Sequence, residues 1–163
     1  MNRDDALASS ATLCRFENRA DRAMAVQRHE VLLDQFIASF KRPPRRLVLD
    51  FDATDDAVHG DQEERFFHGS YDQYCFLPLY VFCGRQLLVS YLRPSPIDAA
   101  KHARAILSLL VKRLRQVFPN SRIIFRGDSG FCRWRMLRWC ERDDVGISSA
   151  SLATSVWRYG PNR

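Results

Sequence analysis

The chain has 163 residues, 46% of them apolar and 12% aromatic, which suffices for the core of one globular domain and excludes an extended disordered chain. Twenty-five Lys and Arg against nineteen Asp and Glu leave a net charge of +6, carried mostly by arginine, the residue that forks onto phosphates. Such a charge fits a polyanionic partner and is also common in proteins that have none.

No apolar run approaches the ~20 residues of a membrane span, and the polar start MNRDDALASS lacks the apolar core of a signal peptide. No membrane partner and a cytoplasmic location are therefore expected. Cys14, Cys75, Cys83, Cys132 and Cys140 form no C-x-x-C pair and are odd in number, so buried thiols are expected rather than a zinc site or a disulfide framework.

From Thr12 to Phe40 the pattern is helical, with Thr12 as cap and apolar residues at Met24, Val26, Val31, Leu32, Phe36 and Ile37. The paired prolines of KRPPRR end this stretch, which makes 1–44 an N-terminal helical segment and 45–163 the second unit. RLVLDFDAT then reads as a strand buried on both faces, and the polar DDAVHGDQEERFFHGSYDQ as a loop or long excursion. YCFLPLYVFCG and RQLLVSYLRP form an antiparallel hairpin, with Pro78 demoting its run to an edge or marking a bulge.

Ser95, Pro96 and Asp98 resemble a helix start. Behind them an apolar stripe through Ala103, Leu107, Leu110, Val111 and Leu114 predicts an amphipathic helix of about six turns, stopped by PNS. RIIFRGD is a second buried strand, FCRWRMLRWCER a second helix, and DVGISSA a third short strand. The order strand, hairpin, helix, strand, helix, strand gives an α/β fold with a mixed sheet covered by helices.

Period-two alternation places Leu47, Leu49 and Phe51 on one face of the first strand and Val48, Asp50 and Asp52 on the other. Ile124, Arg126 and Asp128 share a face of the later strand in the same way. Ligands bind at the carboxyl ends of parallel strands where the order reverses, so Asp52 and Asp128 are candidates to meet there. Two close carboxylates repel, and a hard divalent cation such as Mg²⁺ removes that penalty while keeping sites for water and phosphate oxygens. Asp-Ser-Gly is equally a turn sequence, which leaves a purely structural role for Asp128 open.

The stretch LVLDFDAT resembles the nucleophile motif of haloacid-dehalogenase-type phosphatases, an alternative that would make Asp50 the nucleophile and Asp52 its proton partner. A larger set of segments, SSATLCRFEN, LVLDFDATDD, VHGDQEERFFHGSYDQYCFLPLYVF, LRPSPIDAAKHA and RIIFRGDSGFC, resembles bacterial insertion-sequence transposases of the DDE type, group 1. That resemblance implies a ribonuclease H-like catalytic domain over 45–163 and, for 1–44, the tail of a DNA-binding region. The implied activity is metal-dependent DNA strand cleavage and transfer with Mg²⁺ or Mn²⁺ on transposon ends and target DNA, with a homodimer in the complete protein. Its first two acids fall on Asp52 and Asp128, with Asp50 as a further metal ligand and Thr54 positioning Asp52. The HGDQE loop, with His59, Gln62 and Glu63, lies beside the active site in the family, without an assigned role here.

The family's third acid is a Glu on a helix well downstream, and Glu141 follows Asp128 too closely to fill that role. A truncated, inactive fragment is therefore expected, or a non-catalytic nucleic-acid-binding remnant. DNA contacts are expected from Lys101, Arg104, Arg126, Arg133, Arg135 and Arg138, interleaved with Trp134 and Trp139. The alternative is that the tryptophans pack on the sheet and the arginines form a solvated rim.

Overall fold

The computed structural model describes residues 8–19, 21–60, 65–69 and 72–149. Two helices come first, α1 at Ser10–Glu17 and α2 at Arg22–Ala38. The predicted single helix is broken because Asp21 caps a new start, its side chain accepting from the Met24 N–H, while Ser9 rather than Thr12 caps α1. No described helix is long and apolar enough to cross a membrane.

The strands are β1 (Arg46–Ala53), β2 (Asp56–Ala57), β3 (Phe66–His68), β4 (Gln73–Phe76), β5 (Leu79–Cys83) and β6 (Gln86–Tyr91). They are followed by α3 (Ala103–Val117), β7 (Arg122–Gly127), a short 3-10 turn at Ser129–Phe131, α4 (Trp134–Arg142) and β8 (Gly146–Ser149). The described strands form a five-stranded sheet in the order β6-β5-β1-β7-β8 and a small three-stranded one, β2-β4-β3. β6, β5 and β1 run antiparallel as a meander, whereas β1, β7 and β8 are parallel. The mixed sheet with its helical crossovers is the ribonuclease H-like arrangement.

The polar stretch after β1 is more ordered than expected, since β2 and β3 both pair with β4. Pro78 neither bulges a strand nor sits at an edge. It splits the run into β4 and β5, which belong to different sheets, and β5 is interior, between β6 and β1. The irregularity in the hairpin falls instead between Val81 and Phe82. Gly84, at φ +61°, supplies the left-handed residue of the hairpin turn.

One core cluster joins Leu47, Leu49 and Phe51 of β1 to Leu79 and Val81 of β5, Ile123 and Phe125 of β7, the α3 stripe and Phe36 of α2. The expectation that β1 is buried on both faces fails. Val48 and Asp50 are half-buried and Asp52 is exposed, so only one face is fully covered. The core cannot take the charged face, because an unpaired carboxylate there would cost several kcal/mol or more.

α2 lies against the edge strand β6. The Ser90 N–H donates to His29 Nε2 at 3.1 Å, and His29 Nδ1 donates to Ala25 O at 2.6 Å, so the ring covers an otherwise free strand edge. Cys75 and Cys140 are buried, Cys83 and Cys132 half-buried and Cys14 exposed. Burial pushes the Cys140 thiol up to about 12.

The predicted helix start at Ser95 is displaced to Ala103. Asp98 instead makes a turn, accepting from the Ala100 N–H at 2.8 Å, and its other oxygen accepts from Arg133 Nη2 at 2.8 Å. Residues 92–102 thus form a strap between β6 and α3.

Candidate metal centre and nucleic-acid face

β1 and β7 pair in parallel, with Asp50 opposite Arg126 and Phe51 opposite Gly127. Asp52 follows Phe51 in β1, and Asp128 follows Gly127 just past the end of β7, where it caps the 3-10 turn. Neighbouring strands lie ~4.8 Å apart, so the register brings the two carboxylate-bearing residues side by side at the carboxyl ends of the sheet. Both are exposed.

Each carboxylate has one oxygen engaged. Thr54 Oγ1 donates to Asp52 Oδ2 at 3.1 Å, and the Gly130 N–H donates to Asp128 Oδ1 at 2.8 Å. The remaining oxygens, Asp52 Oδ1 and Asp128 Oδ2, have no partner among the described residues. Asp128 therefore makes the Asp-Ser-Gly turn with one oxygen and leaves the other without a partner among the described residues. Hard oxygen donors in this arrangement suit Mg²⁺, which needs only one or two carboxylates from the protein. Among the described residues no cluster of three or more His, Cys, Asp or Glu joins them.

Asp50 shares the face of Asp52 but is bonded elsewhere. Arg126 Nη2 donates to Asp50 Oδ2 at 2.5 Å, and this hydrogen bond raises the Arg126 pKa further above its ordinary value. The predicted third metal ligand and one predicted DNA-contacting arginine are thus each other's partners. His59 is exposed, and Gln62 and Glu63 lie outside the described residues, as does the chain from residue 150.

Gly130 matters to the site, although nothing in the sequence beyond its place in a turn marks it. A Cβ there would stand 2.9 Å from Asp128 Oδ1, closer than real Cβ atoms come, and the movable atom is the carboxylate oxygen. Gly130→Ala is therefore expected to fold normally and to weaken Mn²⁺ binding roughly 10- to 100-fold, the usual cost of disturbing a ligand's outer support. Calorimetric titration and a thermal melt check this, and wild-type affinity in the variant would refute it.

The chain direction fixes where the basic residues fall. α3 reaches β7 through only a short link, so α3 ends at the amino end of β7 and begins at the carboxyl end, beside the two aspartates. α4 starts just after the Asp128 turn and so begins at that end too. Arg104 of α3 and Arg135, Arg138 and Trp134 of α4 consequently line one open groove. Lys101 is exposed just before α3, and Arg133 precedes α4, held by Asp98.

The two tryptophans part company. Trp134 is 69% exposed with Arg138 over its ring at 5.6 Å, whereas Trp139 is in the core. Residues five apart on a helix point about 140° from one another, so only one can face the sheet.

The family model of the group 1 transposase DDE domain matches residues 1–153. The chain belongs to that family. No curated protein matches the sequence. Among solved structures, this transposase-family chain is similar to the catalytic domain of Mos1 mariner transposase, at 13% identity and a TM-score of 0.44, over 78% of this chain and 61% of that one. It is also similar to the Drosophila P element transposase strand transfer complex, at 15% identity and a TM-score of 0.42, over 88% of this chain and 34% of that one. The DDE-domain chain thus spans less than two thirds of either neighbour.

Proposed function

We propose that this DDE-family chain serves DNA transposition, with Asp52 and Asp128 holding a divalent cation, Mg²⁺ or Mn²⁺, against a DNA phosphate. The observation that carries this reading is the parallel register that pairs Phe51 with Gly127, the residues just before Asp52 and Asp128, each aspartate having one carboxylate oxygen free of partners among the described residues. When bound, the cation would polarise the phosphoryl oxygens and activate the attacking water or hydroxyl.

The chain's own residues supply the rest of the arrangement. Thr54 and the Gly130 N–H fix one oxygen of each carboxylate, which limits the rotation of the ligands. Arg126 neutralises Asp50 and keeps a third negative charge away from the approaching phosphate. Lys101, Arg104, Arg133, Arg135 and Arg138 lie on the side of the sheet end where the DNA backbone would run, and Trp134 offers a flat apolar face among them. The third acid of the family pattern is not joined to the pair among the described residues.

A phosphatase using Asp50 as nucleophile is disfavoured by two observations. The Asp50 carboxylate is taken by Arg126. The strand after β1 pairs into a small sheet rather than leading into a helix.

Duplex DNA binding measured at several salt concentrations, with Mg²⁺ and with EDTA, tests the reading. Affinity should fall with rising salt and be higher in Mg²⁺. The triple variant Arg104→Ala, Arg135→Ala, Arg138→Ala should flatten the log–log salt slope by roughly 0.9 for each phosphate no longer neutralised. Identical binding in Mg²⁺ and EDTA would overturn the metal clamp, and an unchanged slope in the triple variant would remove the groove from the DNA face.

A further inference from the structure

Arg93 is 1% exposed. Its Nε donates to Leu77 O at 2.8 Å, and its Nη1 donates to Ala99 O at 3.0 Å and to Lys101 O at 2.7 Å. Nη2 is buried without a partner among the described residues. No described carboxylate is bonded to the guanidinium, and burial lowers its pKa. A buried cation without a counter-ion is costly, and tying three carbonyls together does not by itself require a charge.

Two of the three carbonyls, Ala99 O and Lys101 O, belong to the strap, while Leu77 O anchors Arg93 to the link between β4 and β5. The strap enters α3 through His102 at φ +69°, a left-handed conformation that a non-glycine residue adopts only when its surroundings hold it there. Across the strap, Asp98 accepts from Arg133 Nη2 at 2.8 Å. Ala99 comes close to Gly130, where a Cβ would lie 3.8 Å from the Ala99 Cβ. Gly130 in turn is the residue whose N–H fixes the Asp128 carboxylate.

We propose that Arg93 is a positioning residue for Asp128: its buried guanidinium clamps the strap, which keeps Ala99 beside Gly130 and, through Asp98 and Arg133, holds the turn that carries the Asp128 carboxylate. This deepens the metal reading of Asp128 and rests on it for its functional meaning. The mechanical part stands on its own, because the hydrogen bonds that hold the strap and the Asp128 turn exist without a metal.

The test uses the full chain with Arg93→Met, which fills the space without charge, and Arg93→Lys, which restores the charge and some donors. Amide hydrogen exchange should show the Gly130 N–H opening roughly tenfold faster in Arg93→Met, with the interior amides of β1 and β7 unchanged, because local opening is separable from global unfolding. Arg93→Lys should recover part of the protection, and Mn²⁺ affinity should fall in step, by roughly 10-fold in Arg93→Met. Should Arg93→Met fail to fold, Ala99→Gly removes the methyl beside Gly130 while leaving the clamp, and it should give the same faster exchange at Gly130. Wild-type exchange at Gly130 in a folded Arg93→Met, or in Ala99→Gly, overturns the inference. A wild-type chain that binds no Mn²⁺ while the exchange difference persists sinks the metal reading of Asp128 and leaves the positioning role established.

Discussion

Asp52→Asn and Asp128→Asn are each expected to abolish measurable Mn²⁺ binding, a loss larger than the roughly 100-fold that disturbing a ligand's outer support produces. The substitution keeps shape and hydrogen bonding. In Asp128→Asn the side-chain amide oxygen can still accept from the Gly130 N–H, and in Asp52→Asn it can accept from Thr54 Oγ1, so the local turn survives. What is lost is the negative charge that a hard cation requires. Because the side chains are exposed, the melting temperature should barely move, within about 0.5 kcal/mol of wild-type stability. The two losses should not add, since a cation held by both carboxylates is released when either is removed. Calorimetric titration of wild type, both single variants and the double variant checks this. Wild-type affinity in either single variant would remove that residue from the site.

Phe125→Ala should do the opposite, leaving the carboxylates in the chain and removing what aligns them. Phe125 is 1% exposed, lies opposite Leu49 and Ile147 in the sheet, and its ring centroid is 5.2 Å from that of Phe51. Truncating a buried Phe costs about 3–5 kcal/mol through reduced burial and the cavity left behind. Against a typical total of about 5–15 kcal/mol, that is a large share. At roughly 2–4 °C per kcal/mol for a chain of this size, the melting temperature should drop by about 10 °C. Differential scanning calorimetry reads it directly. A shift equivalent to less than about 1 kcal/mol would mean that β7 does not carry the core, contrary to the burial of its inward face.

These two results separate function from folding on one pair of strands. The inward-facing residues Leu49, Phe51 and Phe125 hold β1 beside β7, and the outward-facing Asp52 and Asp128 use the alignment. Alternation makes that division readable in advance, since period two assigns the faces without knowledge of any partner. The α3 stripe at Leu107, Leu110, Val111 and Leu114 is readable for the same reason, from spacing alone, and all four residues are buried.

Boundaries set by competition for hydrogen bonds are not readable in this way. Ser95, Pro96 and Asp98 carry the local features of a helix start, yet Arg93 takes the carbonyls of Ala99 and Lys101, and Asp98 is drawn to Arg133, so regular helix begins only at Ala103. Pro78 breaks its run by sending β4 and β5 to different sheets, a choice that depends on which edges are available for pairing.

Local periodicity, composition and motif were enough to establish the alternating carboxylate strand, the crossover order of a mixed sheet, the net positive charge and the family to which the chain belongs. They could not establish that Asp50 goes to Arg126, that Phe51 and Gly127, the residues before Asp52 and Asp128, pair, or that Arg93 is buried against the strap. The first two depend on register, since a parallel pairing of Phe51 with Gly127 joins positions far apart in the chain and no local preference fixes which residue stands opposite which, and the third depends on which carbonyls the folded strap brings to Arg93.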